Sequence, residues 1–436
     1  MFFKATFYSN LLFVTFLLYL GIGCAASNQN RNANLTHSDR PLLTSGFALP
    51  GQQVPPKDIQ SIHVHPQNAP AKAPIISLKT SQKLVLSFDY LSTQSRQFRI
   101  EISHRTQNWK QSSITASTYL DSFSYAFIQN AKASFTNNPS YRHVEYSFPN
   151  DQLRPAVSGN YLIEVYDDND GTLLFKLPFF VTENEGQIST QIDRLFAKRN
   201  DGRPLDQPSS KYQYPKFVEY PQFDLSMSFA QNQFWGRMRK ADFLDTITQN
   251  KLNGRLQINN SFVGNYEFKT LNLQNFEADG QQIVEYFPGL TPPKVVLRRD
   301  IQRFGVTPSP FPLSNLGMPS KGRSGNYARV QFSLTTDSSV SPNTNIFVIG
   351  DFNNWIVNDF HQMEYDSERK LWKGNAIIKE GQYAYKYVTV SNNNINDLAL
   401  DQLFVSSAQE YFTFIYYKDP DKNFDRLLKV DRTMKQ

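Results

Sequence analysis

The chain has 436 residues, a net charge of +6 and 14% aromatic residues, including 35 Phe and 22 Tyr. This length suits roughly two to four domains, and flat rings pack well on the half-buried surface of a sheet. Lys and Arg form no dense run of the kind that binds nucleic acid. The single cysteine excludes an internal disulfide, a multi-cysteine zinc site and a dithiol redox pair. The composition therefore predicts a mostly β protein with no nucleic-acid partner, and the strand candidates described next extend this to an all-β fold of tandem β-sandwich domains.

The first 26 residues have the pattern of an export signal. Lys4 precedes an apolar run from Leu11 to Ile22, and small residues follow up to Ala26. That run is too short for a comfortable membrane span. Residues 1–26 are therefore predicted to be a signal peptide, and two interpretations of its end remain open. Cys24 is the lipidated first residue of a mature lipoprotein that anchors it to a membrane, or ordinary cleavage follows Ala26.

The next part of the chain is predicted to form a flexible tether and then a β-sandwich. Residues 27–55 are rich in Asn, Ser and Gln and indicate a flexible segment. Repeated short strand candidates follow at 59–64, 84–88, 98–102, 144–148 and 161–166. They predict an N-terminal β-sandwich over residues 56–185. Within it, Tyr161 is expected to be a buried ring, and the acidic stretch 167–171 a turn, since it lacks the glutamate of a calcium-binding EF-hand loop.

A middle β domain is predicted over residues 186–320. Its strand candidates are 223–229, 255–258, 266–271 and 294–297. Two proline-rich joins, 204–221 and 308–319, are not expected to be central strands because proline lacks a backbone donor. Arg298, Arg299 and Arg303 form a basic cluster, which either meets an acidic partner or is a solvated face.

The last predicted domain covers residues 321–436. Its strand candidates are 327–334, 346–355, 371–378, 383–390 and 411–417. Alternation places Tyr383, Tyr385 and Tyr387 on one face of their strand, with Ala384 and Lys386 on the other. The aromatic and β-branched stretch 411–417 suits burial on both faces.

No arrangement of residue types points firmly to catalysis. His63 and His65 would share a strand face, yet no cysteine or nearby acid completes a metal site, and surface histidines are favoured. The sequence contains no nucleophile elbow, phosphate-cradling glycine loop or zinc-binding His-Glu-x-x-His helix. A hydrolase with paired carboxylates stays open, because distant strands could bring two acids together. The prediction is a protein without enzymatic activity, cofactor or metal.

Three C-terminal segments carry a first family resemblance. They are Gly350-Asp-Phe-Asn-Asn-Trp355, Leu371-Trp372 and Gly381-Gln-Tyr-Ala-Tyr-Lys-Tyr387. The segments are similar to early-set immunoglobulin-like domains, which include glycogen-binding modules. The resemblance implies an immunoglobulin-like fold for the last domain, and in sugar-binding members the tryptophan matching Trp355 stacks on a glucose ring. The alternative for Trp355 and Trp372 is core packing.

A second resemblance covers nearly the whole mature chain. It rests on Asp121-Ser-Phe123, Phe148-Pro-Asn-Asp151, Arg154-Pro155, Ser158-Gly-Asn-Tyr161, the Gly350 to Trp355 segment, Tyr416-Tyr417 and Phe424-Asp-Arg-Leu427. Together these motifs resemble the plug proteins of the bacterial type IX secretion system. The resemblance implies a periplasmic, non-catalytic subunit at the inner face of the outer membrane, which occludes the periplasmic mouth of the translocon barrel.

Two other functions remain open beside the plug. The first is an extracytoplasmic carbohydrate-binding lipoprotein, for which Trp355 and Trp372 would supply the sugar contacts. The second is a glycan-active enzyme, which predicts a cleft with two carboxylates of perturbed pKa.

Overall fold

The structure, a computed structural model, describes residues 47–435 apart from 50, 93, 95, 129–130, 199–201, 249, 265, 303–321 and 402–407. The predicted signal peptide, Cys24, Arg303 and the proline-rich join 308–319 lie outside the described residues. Strands dominate the described part, and its α-helices are single turns, α1 at Ala116–Tyr119 and α2 at Pro221–Asp224. Short 3-10 turns lie at Trp235–Arg237, Ile258–Asn260, Gly322–Ser324, Asp351–Asn353 and Asp359–His361. The all-β prediction is confirmed.

Nine strands build the first sandwich. They are β1 Ile59–Pro66, β2 Ile75–Ser77, β3 Leu84–Tyr90, β4 Phe98–Arg105, β5 Tyr125–Ile128, β6 Ala131–Ala133, β7 Arg142–Phe148, β8 Gly159–Asp167 and β9 Leu173–Thr182. One sheet has the order β1-β3-β7-β6, and the other has the order β2-β9-β8-β4-β5. Strand β4 shows why they pack: its alternate residues Phe98, Ile100 and Ile102 are buried in the core that both sheets share.

Nineteen further strands follow in the described residues. They are β10 Gln187–Lys198, β11 Pro204–Gln213, β12 Leu225–Gln231, β13 Arg239–Lys240, β14 Phe243–Asp245, β15 Lys251–Arg255, β16 Phe262–Val263, β17 Lys269–Asn272, β18 Ile283–Phe287, β19 Lys294–Leu297, β20 Asp300–Ile301, β21 Tyr327–Thr335, β22 Asn345–Gly350, β23 Glu364–Asp366, β24 Leu371–Lys379, β25 Gln382–Ser391, β26 Asn394–Asn396, β27 Gln409–Lys418 and β28 Asp425–Lys435. These strands form four more sheets around two further cores.

The second sandwich joins the middle of the chain to its end. Its sheets have the orders β10-β11-β15-β14, with β16 added to β11, and β13-β12-β27-β28. The central pairing is antiparallel, with Leu225 opposite Tyr417 and Gln231 opposite Tyr411. Both sheets contribute to one core, for example through Tyr212 on β11 and Met227 on β12.

The third sandwich also combines two regions of the chain. Its sheets have the orders β17-β25-β22, with β26 added to β25, and β18-β19-β21-β24-β23, with β20 added to β21. Strands β17 to β20 precede residue 320, whereas β21 to β26 follow it. Their shared core includes Leu271 and Val295 from the first group and Val330 and Tyr385 from the second.

The boundary predicted at residue 320 is therefore corrected, since strands on its two sides pair with each other. The middle strand β12 pairs with β27, and the middle strands β17 and β19 pair with β25 and β21. The reason is physical: each sheet needs a neighbour to bury its apolar face, and that neighbour can come from any distance along the chain. Whether residues 56–185 fold as a separate domain stays a prediction.

The prediction that the proline-rich join 204–221 forms no central strand is wrong for its first half. Residues Pro204–Gln213 form β11, which has partners on both sides. On one edge β11 pairs with β16 at Leu205 and Asp206 and with β15 from Ser209 onwards. Pro208 lies in the gap between β16 and β15 on this edge. Its missing backbone N–H therefore removes no hydrogen bond to a partner strand there.

The tether predicted over residues 27–55 is corrected at its end. Phe47 and Leu49 are almost fully buried, and Val54 is also buried. The polar composition of the segment gives no sign of these buried side chains, of which Phe47 and Leu49 pack in two separate apolar clusters. Residues 27–46 lie outside the described part of the chain.

The aromatic strands behave as their alternation predicts. In β25, Tyr383, Tyr385 and Tyr387 enter the core of the third sandwich, whereas Ala384 packs in a separate apolar cluster on the opposite face. In β27, every residue from Gln409 to Tyr417 is buried. The prediction that this last strand is buried on both faces is confirmed.

Candidate functional site

The two tryptophans of the predicted sugar platform lie inside the protein. Trp355 has 9% and Trp372 2% of its surface exposed. Trp372 packs against Tyr365 with ring centroids 5.0 Å apart, and its Nε1 donates to Thr336 Oγ1 over 3.3 Å. A ring that stacks on a sugar must offer one open face, so this burial favours core packing. Carbohydrate binding by these residues stays a prediction.

Trp355 is held by a buried carboxylate and by rings from other parts of the chain. Its Nε1 donates to Asp351 Oδ1 over 3.0 Å, and the backbone nitrogen of Ala384 donates to Asp351 Oδ2 over 2.7 Å. Burial raises the pKa of Asp351 to about 6, although both hydrogen bonds oppose the rise. The Trp355 ring lies 5.6 Å from Phe47 and 5.4 Å from Phe234. The Gly350 to Trp355 motif therefore joins the second and third sandwiches.

A cleft of about 210 Å³ lies beside Trp355. Side chains from all three sandwiches line it, among them His63, Trp235, Asn354 and Gln382. Its described lining includes one carboxylate, Asp351. A glycosidase of the usual kind needs two carboxyl groups facing one bond, so this cleft does not have the arrangement that the enzyme hypothesis predicts.

The basic cluster is divided by the structure. Arg298 is exposed, but its Nε donates to the carbonyl of Gln281 over 2.6 Å, and its Nη2 donates to the carbonyl of Gly280. Its guanidinium therefore supports the turn before β18. Arg299 is exposed, and Arg303 lies outside the described residues. Binding of an acidic partner by these arginines stays a prediction.

The paired histidines do not form a metal site with other ligands. His63 and His65 are half-buried on β1, and burial lowers the pKa of His63 to about 4. Among the described residues, no group of three or more His, Cys, Asp or Glu side chains is placed to hold a metal ion. In the same part of the chain, no helix is long and apolar enough to cross a membrane.

Three of the resembling motifs meet although the first is more than 250 residues from the other two in sequence. The Tyr416 hydroxyl donates to Asn160 Oδ1 over 2.8 Å. The backbone nitrogen of Leu427 donates to Ser158 Oγ over 3.0 Å, and that hydroxyl donates to Glu183 over 2.7 Å. We call this contact the Ser158 junction. It joins the first sandwich to the second.

The Ser158 junction also has an apolar core and a backbone connection. Leu162 and Phe180 of the first sandwich pack in one cluster with Phe414 and Leu427 of the second. The backbone nitrogen of Glu183 donates to the carbonyl of Leu427 over 2.9 Å. These motifs are therefore explained by packing between sandwiches, which no local pattern in the sequence could reveal.

Three other motif segments form an exposed corner of the first sandwich. The backbone nitrogen of Asp121 donates to the carbonyl of Arg154 over 2.9 Å, and the nitrogen of Arg154 donates to Ser122 Oγ over 2.9 Å. Arg154 also pairs with Asp151 over 2.6 Å. This corner, residues 120–123 with 148–155, holds Phe123 outwards with 69% of its surface exposed. We call it the Phe123 corner.

The strand after the corner continues the exposed aromatic surface. Tyr125 and Phe127 alternate with buried residues on β5, and they are 45% and 43% exposed. Their ring centroids are 5.3 Å apart. Strand β5 is the outer strand of its sheet, so these rings stand at an edge. An exposed aromatic edge held on a rigid frame is suited to protein contact rather than to bond-breaking chemistry.

The described part of the chain thus defines a class: an all-β protein of three packed sandwiches whose motifs serve contacts between sandwiches or an exposed corner. Residues 59–183 match a family model described as the type 9 secretion system plug protein 1st domain. The match covers the strands of the first sandwich, including the Phe123 corner. It supports a role in type IX secretion and an extracytoplasmic, envelope-associated location, and it indicates no catalytic family.

The likeness to solved structures extends over most of the chain. The crystal structure of a hypothetical protein from Parabacteroides merdae is similar with a TM-score of 0.78 and 21% identity, covering 88% of this chain and 99% of that chain. At this identity the likeness shows the fold. A C-terminal domain of the Streptococcus agalactiae AgI/II polypeptide BspA covers 86% of this chain and 99% of its own, but with 8% identity and a TM-score of 0.14 it carries no argument. A comparison with curated proteins finds no match.

Proposed function

We propose that the protein is a non-catalytic plug of the type IX secretion system, which occludes the periplasmic mouth of the outer-membrane translocon barrel. The observation that carries this proposal is the family match over residues 59–183. The order of the motifs along the rest of the chain is in keeping with it. Occlusion requires a fitted surface and no reacting group, which agrees with motifs that serve packing.

The surface proposed to contact the barrel is the Phe123 corner with the outer strand β5. Aromatic side chains are frequent anchors of protein interfaces, and Phe123, Tyr125 and Phe127 are exposed together on one edge. The ion pair between Arg154 and Asp151 keeps the corner in shape but is itself exposed, so it contributes little to stability. We infer that the corner is ordered for recognition.

Affinity purification tests the proposal. The tagged protein is purified from detergent-solubilised outer membranes, and its partners are identified by mass spectrometry. A very large barrel protein is expected in stoichiometric amount, and its absence would contradict the plug function. The variant Phe123→Ser is expected to recover several-fold less barrel protein. The matched control is Phe223→Ser, which changes a ring that is 79% exposed on the second sandwich.

Anchoring through Cys24 is a separate part of the proposal. If Cys24 carries a lipid, the mature protein begins at this residue and sediments with membranes even when the barrel is missing. The variant Cys24→Ser should then be recovered in the soluble periplasmic fraction. A mature protein that starts after Ala26, measured by mass spectrometry, would show ordinary cleavage instead.

The fold proposed for the third sandwich is of the early-set immunoglobulin type. Its two sheets pack around a shared core in which Trp372 and the three tyrosines of β25 take part. A solved structure of this sandwich, superposed on immunoglobulin-like domains, tests the assignment. A different strand order in the superposed sheets would refute it.

A further inference from the structure

A cluster of buried charges lies where the first sandwich meets the third. Lys379 Nζ on β24 lies 2.6 Å from Asp89 Oδ2 on β3, and both side chains are fully buried. His143 Nδ1 on β7 lies 2.6 Å from the other oxygen of Asp89. Asp89 is thus shared between a cation of another sandwich and a histidine of its own.

Hydroxyl groups complete the same cluster. The Tyr327 hydroxyl donates to Asp89 Oδ2 over 2.6 Å, and Ser61 Oγ lies 2.7 Å from the Tyr327 oxygen. Lys379 also donates to the carbonyl of Gly322. We call these residues, Ser61, Asp89, His143, Tyr327 and Lys379, the Asp89 cluster. Ser61, Asp89 and His143 belong to the first sandwich, and Tyr327 and Lys379 belong to the third.

The Asp89 cluster and the Ser158 junction hold the first sandwich by different forces. The junction buries rings and leucines and adds backbone hydrogen bonds, so apolar burial stabilises it. A buried ion pair must first lose its hydration, and its attraction often does no more than balance that cost. Such a pair fixes orientation more than it adds stability. Burial indeed lowers the pKa of Lys379, although Asp89 opposes the shift.

The neighbouring contact at β1 is weak by comparison. Asn354 Nδ2 donates to the carbonyl of Ile62 over 2.9 Å, and the ammonium of Lys57 lies 4.2 Å from the Phe360 ring.

Further contacts between the two sandwiches flank the cluster: the Tyr141 hydroxyl donates to the carbonyls of Gly322 and Gly325 over 2.8 and 2.9 Å, and the backbone nitrogen of Phe135 donates to the carbonyl of Arg323 over 3.0 Å. They reach the turn at Gly322–Ser324, to which Lys379 also donates, so we count them with the Asp89 cluster as one side of this interface.

We propose that the Asp89 cluster is a releasable contact, and that its loss lets the first sandwich pivot about the Ser158 junction while all three sandwiches stay folded. This conformational property goes beyond the proposed role in secretion and does not depend on it. A pivot of this kind would change how the Phe123 corner is presented relative to the third sandwich.

Hydrogen exchange of the full chain tests the pivot. The double variant Asp89→Asn with Lys379→Met removes both charges, so that neither is left buried alone. Amide exchange is expected to rise about tenfold in residues 57–65 and 326–332. Residues 158–167 and 411–417, at the Ser158 junction, should keep the exchange rates of the unchanged protein.

A matched control is available in the third sandwich. Lys386 and Asp401 form a buried pair with 2.7 Å between Nζ and Oδ2. The double variant Lys386→Met with Asp401→Asn removes a similar pair that does not touch the first sandwich, and should leave residues 57–65 unchanged. If the Asp89 and Lys379 variant fails to fold, Tyr327→Phe removes one hydroxyl and should give the same pattern at smaller amplitude.

Two outcomes would overturn the pivot. Unchanged exchange at both contacts would mean that the cluster is not needed to hold the first sandwich. Equal increases at the Asp89 cluster and at the Ser158 junction would mean general loosening of the fold. Only an increase confined to the Asp89 side supports a releasable contact.

Discussion

Gly159 shows how a single position is restricted by its neighbours. Its φ is +148°, and a Cβ at this residue would overlap the ring of buried His104. The variant Gly159→Ala is expected to lower the free energy of unfolding by about 1 to 3 kcal/mol through overpacking. Urea denaturation measures the change. Gly171→Ala is the control, since Gly171 also has positive φ but no atom within 4 Å of the added Cβ. If both variants lose the same free energy of unfolding, backbone strain at positive φ explains the whole effect and overlap with His104 explains none of it.

Buried titratable groups predict a dependence of stability on pH. Burial lowers the pKa of His63, His104 and His361 to about 4 and raises that of Asp351 to about 6. Unfolded histidine titrates near 6.5 and aspartate near 3.9. Between about pH 6 and pH 4, each of the three histidines gains a proton on unfolding, whereas Asp351 loses one. Unfolding of these four groups therefore takes up protons in this range. The free energy of unfolding should therefore fall on acidification.

Urea denaturation between about pH 7 and pH 4.5 measures this dependence. The variant His104→Gln should have a shallower slope, by about one proton, because one of the three histidines with a lowered pKa is gone. A slope that is unchanged in this variant would show that His104 does not contribute.

Strand β27 shows what an element contributes when it is buried on both faces. Ile415 packs in the core of the second sandwich, whereas Phe414 points to the other side and packs against Trp235 and Phe180. The variant Phe414→Ala should lower the free energy of unfolding by about 3 to 5 kcal/mol. Phe223→Ala, at an exposed ring, should change it little. Comparable losses would contradict the assigned burial of Phe414.

Across the molecule, the segment that begins at Phe47 fastens the sandwiches to one another. Phe47 lies 4.3 Å from the Phe234 ring of the second sandwich and 5.6 Å from the Trp355 ring of the third. The guanidinium of Arg237 lies 4.0 Å from its ring centre. Phe47→Ala is expected to cost about 3 to 5 kcal/mol in thermal or urea unfolding. Phe287→Ala, at a ring that is 42% exposed, is the control, and an equally large loss there would count against this role.

The motif residues divide into two groups once the sandwiches are in place. Ser158, Tyr416 and Leu427 meet inside the protein, whereas Phe123 remains exposed. The order of the motifs along the chain indicates one family. It does not show which motif residues pack inside the protein and which lie on its surface. That separation depends on which distant strands lie side by side.

The sequence by itself determined the all-β class, the alternation in strands such as β4 and β25, and the double burial of β27. These features depend on side-chain period and residue type, which are local properties of the chain. Only the tertiary structure decided that β27 pairs with β12, that β17 pairs with β25, and that Phe47 is buried. Such contacts join segments that are far apart in sequence. Their free energy comes from apolar surface that the two segments bury together, and no local sequence pattern shows which segments will meet.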